Sequence, residues 1–562
     1  MVPQLQTFSP RERWLATWSL LLGMVAFTTA IMAANVILPQ LMTSLRADLD
    51  QVQWVLTGSG IAQTVTMPMV GWLTSLMGHR ALYLGSLALF CAGSVLSGMA
   101  WSIESLIAFQ VLSGLGVGLM QPMITAIMYQ LFPPSQRGLA LGLSMVGWSV
   151  GPAIGPIVGG YLVEIFNWRA AFYAAIPLGA GGLVCAFLFL PALPKPTRKV
   201  MDQVGLLTMT LALVTILMAL TQGRREGWDS SYILTLLAIS GISTVSFLVW
   251  EWCSTSPLVD LRLFRYVPFT MGCLVVFIST TVFRGTGVLS IVFVQQVFDF
   301  TPLQVGWLLL AGNIAYGVAV VVSGQLADRI NTTLLTIVGL GIFVVAFYWF
   351  AAVNETVSAW VLSLLLTMRL TAFGVMGSPN NLSTMRAVPE EHVVMASGIF
   401  ALMRSISGTV GAAVSVTIYD QRYFYYVQRY AEENDLNALG LQEALTTVEP
   451  LLTWAGDLSV TLAARTSAAV QQRLLAEATT AAYQDYFVLA AAVGALAMLP
   501  ALPWQAWCQR LHRLLWSQRP AKPAITPASP VTATGVSSQR PGNGADAAPA
   551  HGSNAARHSV RR

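Results

Sequence analysis

Long, nearly unbroken runs of hydrophobic residues dominate the chain, and short polar segments separate them. A membrane-spanning helix needs about 20 mostly apolar residues, and about fourteen runs meet this length. They lie near residues 18–41, 53–76, 81–100, 105–129, 138–163, 170–191, 204–221, 231–251, 268–297, 303–326, 332–353, 357–379, 393–418 and 486–507. The runs are continuously apolar rather than alternating, which excludes a membrane β-barrel. The pattern predicts an all-α polytopic membrane protein.

The composition agrees with this pattern. Of 562 residues, 55% are hydrophobic and only 10% are charged, whereas soluble domains carry about 25% charged residues. The chain therefore cannot coat several water-soluble domains. The five cysteines show no metal-ligand spacing and no disulfide framework.

Lysine and arginine set the predicted orientation, because they collect in cytoplasmic loops of inner-membrane proteins. If the N-terminus is inside, the outer short loops hold only Arg46, Arg169, Arg224 and Arg225, and the inner loops and chain ends hold most of the others. We therefore predict a multi-pass inner (cytoplasmic) membrane protein with both termini in the cytoplasm. This asymmetry also explains the net charge of +5, so no nucleic-acid partner is expected.

The fifth hydrophobic run contains a regular stripe of small residues. Its members are Gly147, Gly151, Pro152, Gly155, Pro156, Gly159 and Gly160. Glycines four residues apart share one face of a helix, where two backbones can approach closely. Each proline removes a backbone donor and softens or kinks the helix. We predict a flexible helix at a bundle interface that takes part in conformational change; the alternative is an ordinary packing seam.

A loop sequence occurs twice, at matching places of the two chain halves. The first copy includes Gly71, Gly78 and Arg80, and the second includes Gly324, Asp328 and Arg329. A repeated loop implies an internal duplication, which is typical of alternating-access transporters. We interpret both copies as gating loops.

These motifs resemble the major facilitator superfamily, in particular its fourteen-span drug:proton antiporter branch. The glycine and proline run at 147–160 resembles the antiporter motif of that branch. Further similar segments include Trp54-Val55-Leu56-Thr57, Asn35-Val36-Ile37-Leu38-Pro39 and Thr301-Pro302-Leu303-Gln304-Val305-Gly306. The resemblance covers residues 14–507 and implies a major-facilitator fold, with two six-helix bundles plus two inserted helices.

The predicted domains follow from this duplication. Residues 1–191 form an N-terminal six-helix bundle, and 192–267 a two-helix insertion between the halves. Residues 268–507 form a C-terminal six-helix bundle with one long outer loop at 419–485, in which 455–483 is helical by composition. Residues 508–562 are a disordered cytoplasmic tail, because 517–562 are rich in Pro, Ala, Ser and Gly.

Two departures from the family concern proton coupling. The resemblance implies an aspartate in the first helix and an arginine in the fourth, but this chain has Ala30 and Gln110 there. Ser75 likewise replaces the acid of the first gating loop, whereas Asp328 keeps it in the second.

Three arginines fall inside predicted spans, while no Asp or Glu lies near the middle of any span. A charge at the bilayer centre costs at least about 2.5–3.5 kcal/mol, so Arg284, Arg369 and Arg404 must face protein, water or a ligand. Arg369 and Arg404 match arginines of the family and are structural or functional intramembrane charges. Arg284 either meets an anionic substrate group, for which a guanidinium is well suited, or is structural.

Other polar residues inside the spans are candidates for the lining of a central cavity. They are Asn35, Gln63, Gln110, Gln121, Asn313 and Tyr316. The alternative is that they hold helices together, which is the common use of Asn and Gln in membranes.

The sequence lacks nucleotide-binding loops, nucleophile elbows and zinc spacings, so we expect no cofactor, no metal and no enzymatic activity. We predict a secondary active transporter for multidrug efflux that exports amphipathic, drug-like organic compounds by alternating access, and the resemblance implies a proton antiporter. Two alternatives stay open: an organic-anion exporter that uses Arg284 without conventional proton coupling, and a non-transporting sensor or scaffold. Expected partners are a small-molecule organic substrate and the lipid bilayer; protons and a periplasmic adaptor protein at 419–485 are further candidates.

Overall fold

The computed structural model describes residues 9–193, 201–254, 257–298, 300, 302–354, 357–433 and 459–502. Within these ranges the regular elements are helices, with no strand. Thirteen of the described helical segments are long and apolar enough to cross a membrane. The prediction of an all-α polytopic membrane protein is confirmed.

Nine α-helices precede the insertion. They are α1 (Pro10–Val36), α2 (Leu38–Leu45), α3 (Leu49–Thr66), α4 (Val70–Met77), α5 (His79–Gly98), α6 (Ile103–Leu131), α7 (Arg137–Ile165), α8 (Trp168–Tyr173) and α9 (Ile176–Phe189). The insertion consists of α10 (Gln203–Glu226) and α11 (Ser231–Cys253).

Seven α-helices follow the insertion. They are α12 (Val267–Val297), α13 (Pro302–Ala327), α14 (Thr332–Phe350), α15 (Ala359–Arg386), α16 (Val393–Glu433), α17 (Ser459–Leu496) and α18 (Met498–Ala501). Short 3-10 turns lie at Met67–Met69, Pro134–Gln136, Leu261–Arg265 and Glu390–His392.

The first helix begins eight residues before the predicted residue 18, because local capping groups define its start. The Ser9 hydroxyl accepts the Glu12 backbone N–H at 3.3 Å, and the Glu12 carboxylate accepts the Ser9 N–H at 2.9 Å. Pro10 occupies the first turn, where no backbone donor is needed. Local chemistry thus extends the helix beyond the purely apolar run.

The second predicted span, at 53–76, is interrupted. It comprises α3, the 3-10 turn Met67–Met69 and α4. Pro68 lies in that turn, and proline cannot donate the backbone hydrogen bond that would continue an α-helix. The fourteen-span description therefore stays a prediction, since thirteen described helices meet the length and apolarity needed for crossing.

The helices form two groups on either side of the insertion. In the first group, α1 contacts α7 and α9, and α6 contacts α3 and α5. In the second group, α15 contacts α13 and α14, and α16 contacts α12 and α17. The two groups meet where α7 contacts α13 and where α6 contacts α16, and the insertion helix α10 contacts α16 and α3.

The prediction of a loop from residue 419 was wrong in its boundaries. Helix α16 continues to Glu433, and α17 begins at Ser459 and runs without interruption into the last span. Aromatic contacts explain the extension of α16, since Tyr419 lies 4.4 Å from Tyr483 between ring centroids and Tyr426 donates to Asp485 at 2.9 Å. The predicted helix at 455–483 is therefore continuous with the final span. Residues 434–458 and the predicted tail at 508–562 lie outside the described residues.

Candidate functional site: an arginine-lined centre between two helix groups

Both gating loops lie at one end of the bundle, which we call the repeat-loop end and which contains Gly78 and Asp328. The Asp328 carboxylate accepts the backbone N–H groups of Gly138 at 2.8 Å and Leu139 at 3.0 Å. These are the first amides of α7, where a helix carries unpaired donors and partial positive charge. Asp328 also pairs with Arg386 at 3.2 Å and is nearly buried. The second gating loop therefore holds the start of α7 by a charged contact.

A second ion pair closes the same end. Arg137, at the start of α7, forms a salt bridge of 2.6 Å with Glu390 of the second group. Its guanidinium also donates to the Tyr129 hydroxyl at 3.1 Å and lies 4.1 Å from the centroid of that ring. The two helix groups are thus joined at the repeat-loop end.

The first gating loop has a different chemistry. The φ angle of Gly78 is +84°, a value that L side chains rarely adopt, and the Ser75 hydroxyl donates to the Trp72 carbonyl at 2.7 Å within its own turn. A Cβ at Gly71 would lie 3.4 Å from Met395 of α16. This loop therefore contacts the second group through apolar surface, without the carboxylate that Asp328 provides.

The remaining arginines of the gating loops face outward. The Arg80 guanidinium donates to the Phe187 carbonyl and lies 5.7 Å from the centroid of the Phe187 ring. Arg329 is exposed. Neither crosses between the two groups in the described contacts, whereas Asp328 and Arg137 do.

The glycine stripe of α7 packs along α1. A Cβ at Gly147, Gly151, Gly155 or Gly159 would overlap Met24, Thr28, Met32 or Ala33, respectively. The Thr28 hydroxyl donates to the Gly147 carbonyl at 2.8 Å. Helix α7 remains continuous through Pro152 and Pro156. Gly160 has nothing within 4 Å, so it does not belong to the contact surface.

The three intramembrane arginines have different surroundings. Arg369 is 4% exposed, donates to the Phe283 carbonyl at 3.1 Å and lies 4.6 Å from that ring. Arg404 is half-buried and lies 5.2 Å from the ring of Trp148, which belongs to the first group. Arg284 is exposed although it lies mid-helix. Arg369 therefore joins α15 to α12, whereas Arg284 has its charged end free.

Arg284 and Arg404 form a cationic pair between the two groups. A Cβ at Gly408, one turn along α16 from Arg404, would lie 3.3 Å from Arg284 Nε. Arg404 interacts electrostatically with Arg284 and with the Tyr316 hydroxyl. Because Arg404 also touches Trp148 of the first group, this pair faces the centre and not the lipid.

Aromatic rings line the same region. Phe283 and Phe373 stack with centroids 3.9 Å apart, and Tyr316 stacks on Phe373 at 6.4 Å. On the opposite side, Phe27 meets Trp148 edge-on at 5.9 Å. The centre therefore combines positive charge with flat apolar surfaces.

No carboxylate neutralises these arginines within the described residues. The ion pairs of this part of the chain involve other groups. Glu104 and Glu164, which lie at the outer ends of predicted spans, are exposed and form none of these pairs. The centre carries uncompensated positive charge.

The glutamine candidates mostly hold helices together. Gln63 donates to the Gln121 side-chain oxygen at 3.2 Å and thereby joins α3 to α6. Gln110 donates to the Ser97 hydroxyl at 3.0 Å and joins α6 to α5. These contacts lie within the first group, so they match the alternative of polar contacts between helices.

Both asparagine candidates donate to their own helices. The Asn35 amide bonds to the Ile31 carbonyl at 2.8 Å and is exposed, and the Asn313 amide bonds to the Leu309 carbonyl at 3.0 Å. Of the polar candidates, only Tyr316 lies at the arginine pair. Phe283 and Phe373 could not be recognised from the sequence, because a hydrophobic helix gives no sign of which of its aromatic rings face the centre of the bundle.

Comparison with known proteins points to one family. A family model described as the Major Facilitator Superfamily matches residues 20–412. The chain is 28% identical to the multidrug export protein EmrB of Haemophilus influenzae over 413 residues, which cover 72% of this chain and 80% of EmrB. It is 26% identical over 400 residues to the uncharacterized MFS-type transporter YhcA of Bacillus subtilis, covering 71% and 75% of the two chains.

A solved structure shows the same fold. The crystal structure of the human organic anion transporter MFSD10 (TETRAN) superposes with a TM-score of 0.57, covering 88% of this chain and all of that one at 16% identity. At this identity the likeness concerns the fold alone. The predicted major-facilitator fold is confirmed.

Proposed function

This chain belongs to the Major Facilitator Superfamily, and from that premise we propose that it exports amphipathic organic anions across the inner membrane by alternating access. It is a multi-pass membrane transporter, with multidrug export proteins among its relatives. The observation that carries the choice of anions is the exposed Arg284 beside Arg404, without a carboxylate counter-charge among the described residues. It corresponds to the organic-anion exporter that the sequence leaves open as an alternative.

Electrostatics supports an anionic substrate. Two guanidinium groups that face each other in a low-dielectric region repel unless an anion lies between them. Arginine can hold a carboxylate, sulfonate or phosphate by two parallel hydrogen bonds. A cationic substrate would add a third positive charge to this place. An anion therefore gains the charge stabilisation that the protein itself does not supply.

The aromatic rings support an amphipathic substrate. Trp148 and Phe27 on one side, with Phe283 and Phe373 on the other, offer flat surfaces. Such surfaces bind the apolar part of a ligand by stacking and burial. The expected substrates thus combine an aromatic or aliphatic body with one anionic group.

The proposal also includes the driving force of transport and the orientation of the protein in the membrane. We expect both termini in the cytoplasm, which makes the repeat-loop end cytoplasmic, and we expect an ion gradient to drive transport because the sequence has no nucleotide-binding loop. No described carboxylate lies at the arginine pair. The pair therefore gives no support to proton coupling through a neighbouring carboxylate. The long helices α16 and α17 remain the proposed place for an adaptor protein.

Replacement of Arg284 by Gln tests the substrate class. The change removes the charge and keeps a polar, shorter side chain. In proteoliposomes, we expect efflux of a fluorescent organic anion to fall at least about tenfold, as loss of one charged hydrogen bond of about 1.5–3 kcal/mol predicts. Efflux of a cationic dye should be unchanged or faster.

Arg265→Gln is the control, because Arg265 is an exposed arginine at the repeat-loop end. It should leave both rates unchanged. If Arg284→Gln and the wild type export the anion equally, the anion proposal fails. If the wild type transports neither dye and a deletion strain shows no change in tolerance to any compound, the sensor or scaffold hypothesis replaces it.

A further inference from the structure

Two buried carboxyl groups lie close together where the start of α10 meets the end of α11, away from the arginine centre. Asp202 precedes α10 and is 7% exposed. Its Oδ1 atom accepts the Gly205 backbone N–H at 2.8 Å, which caps α10, and the indole N–H of Trp250 at 2.8 Å. Asp202 thereby joins the first turn of α10 to the last turn of α11.

The second carboxyl group is Glu251 of α11, which is 4% exposed. Its Oε1 atom accepts the backbone N–H groups of Leu258 at 3.1 Å and Val259 at 3.2 Å. Its Oε2 atom is buried and has no hydrogen-bond partner among the described residues. Half of this carboxyl group is therefore unpaired inside the protein, which is costly for a charged oxygen.

The two carboxyl groups are neighbours across Gly205. A Cβ at Gly205 would lie 2.8 Å from Asp202 Oδ2 and 3.1 Å from Glu251 Oε1. The two oxygens are therefore within about 6 Å of each other, a range in which one negative charge opposes the other. Glycine at this position leaves room for both groups.

Neither carboxyl group forms a salt bridge with a described lysine, arginine or histidine. The charged groups that act on Glu251 are Asp202 and Asp260, and both are acidic. Helix α16 presents Met395, whose sulfur accepts the Asp260 backbone N–H at 3.2 Å. Helix α3, which contacts α10, carries one acidic residue, Asp50, in its first turn, at the opposite end of the bundle.

We propose that Asp202 and Glu251 form a proton-binding site in which Glu251 Oε2 carries the proton, and that this proton keeps the insertion docked on the second helix group. Protonation removes the charge from a buried oxygen that no described donor stabilises, and it removes one of two like charges. A metal ion is a poorer occupant, because the described residues contain no cluster of three or more acidic, Cys or His ligands.

The proton would act on docking through the segment that Glu251 holds. Leu258 and Val259 lead into the 3-10 turn Leu261–Arg265 and then into α12, and Asp260 contacts α16 through Met395. Loss of the proton leaves two buried negative charges close together, and Glu251 relieves the repulsion by turning towards water. Its two backbone hydrogen bonds to the connecting segment are then lost. This inference does not depend on the identity of the transported compound.

Infrared spectroscopy of the full-length protein in lipid nanodiscs tests the proton directly. At neutral pH exposed carboxyl groups are ionised, so a carbonyl band of a protonated carboxylic acid reports a buried one. We expect this band in the wild type, its loss in Glu251→Gln, and its persistence in Glu226→Gln. Glu226 is the matched control, since it is an exposed glutamate at the other end of the insertion.

Thermal unfolding gives the second measurement. A group that binds its proton more tightly in the folded state stabilises the protein at low pH and loses this effect as the pH rises. The unfolding temperature of the wild type and of Glu226→Gln should therefore fall from mildly acidic to mildly alkaline pH. That of Glu251→Gln should change less, because the Gln side chain does not titrate in this range.

Three results would overturn the proposal. They are a wild type without an acid band at neutral pH, a band that survives in Glu251→Gln, and a wild-type stability that responds to replacement of Na⁺ and K⁺ by choline but not to pH. The first of these requires only the wild type, so a variant that fails to fold does not prevent the test. Asp202→Asn is the second variant. It should also weaken the dependence of the unfolding temperature on pH.

Discussion

Identical side chains have different roles here according to what their end groups meet. Arg369 donates a hydrogen bond to the Phe283 carbonyl and lies against the Phe283 ring, so it joins two helices. Arg284, on the same helix as Phe283, keeps an exposed guanidinium beside Arg404. The difference follows from packing, since a buried charge needs partners within the protein and an exposed one can bind a ligand.

Asp328→Asn should loosen the repeat-loop end. Asn keeps an acceptor for one amide of α7 but loses the negative charge, and a hydrogen bond to a charged group is worth about 1.5–3 kcal/mol. We expect the population that is open at this end to rise roughly 10- to 150-fold. Distances between spin labels at the exposed residues Met77 and Ile330, measured by pulsed electron paramagnetic resonance, report this shift.

Asp229→Asn is the control for this change, because Asp229 is exposed between α10 and α11. It should leave the distance distribution as in the wild type. A distribution for Asp328→Asn that matches the wild type would show that Asp328 does not hold the two groups together.

The sequence singles out the charged candidates more sharply than the amides. Arg284 and Asp328 stand out in the sequence because a charge inside or beside a membrane span is costly unless it has a partner or a function. Gln63, Gln110 and Gln121 left two interpretations open, since an amide in a span satisfies its donors against a neighbouring helix as readily as it faces a cavity. Only the three-dimensional arrangement shows which helix faces which.

At the scale of elements, two helix pairs use the same kind of contact. Helix α7 lies against α1, where the Thr28 hydroxyl donates to the Gly147 carbonyl at 2.8 Å. Helix α16 lies against α12, where the Thr281 hydroxyl donates to the Ser407 carbonyl at 3.3 Å and a Cβ at Gly411 would overlap Thr281. This repetition in both chain halves agrees with the duplication that the two gating loops indicate.

Gly151→Ala should disturb the contact of α7 with α1. The added methyl group overlaps Thr28, and overpacking of this kind costs about 1–3 kcal/mol. We expect a lower unfolding temperature and slower efflux in proteoliposomes. Gly160→Ala adds the same group to the same helix, but into open space, and should have almost no effect. Equal behaviour of the two variants would remove any special role for the stripe.

The hydrophobic pattern predicted which segments are helices, but it misplaced several ends. The capping residues before α1 and the tyrosine contacts that extend α16 are specific local interactions that average hydrophobicity does not contain. The break at Pro68 was visible in the sequence as a proline, yet prolines at 152 and 156 left α7 continuous. The consequence of a proline therefore depends on its neighbours.

At the scale of the whole molecule, the two helix groups are joined at the repeat-loop end and enclose the arginine centre. Asp328, Arg137 and Glu390 form the charged contacts between them. Deeper contacts follow, such as Ser397 donating to the Pro122 carbonyl at 3.1 Å. The insertion is tied to α16 at the far end by the Arg224–Asp420 pair at 2.7 Å. Closure at this end is what the proposed alternating access requires of one of its two states.

Accessibility of an engineered thiol at this closed end is the most direct test of transport by alternating access. In a variant whose five cysteines are replaced, Ser397→Cys places a thiol at a residue that is 1% exposed between the groups. Ser86→Cys places a matched thiol inside the first group, at 2% exposure. Both are tested with a membrane-impermeant thiol reagent, with and without a transported organic anion.

We predict that the thiol at position 397 is protected at rest and becomes reactive from the repeat-loop side during transport, while the thiol at position 86 stays protected throughout. If position 397 remains as unreactive as position 86 under every condition, although the protein still exports the anion, the two groups do not separate at this end and transport by alternating access is contradicted.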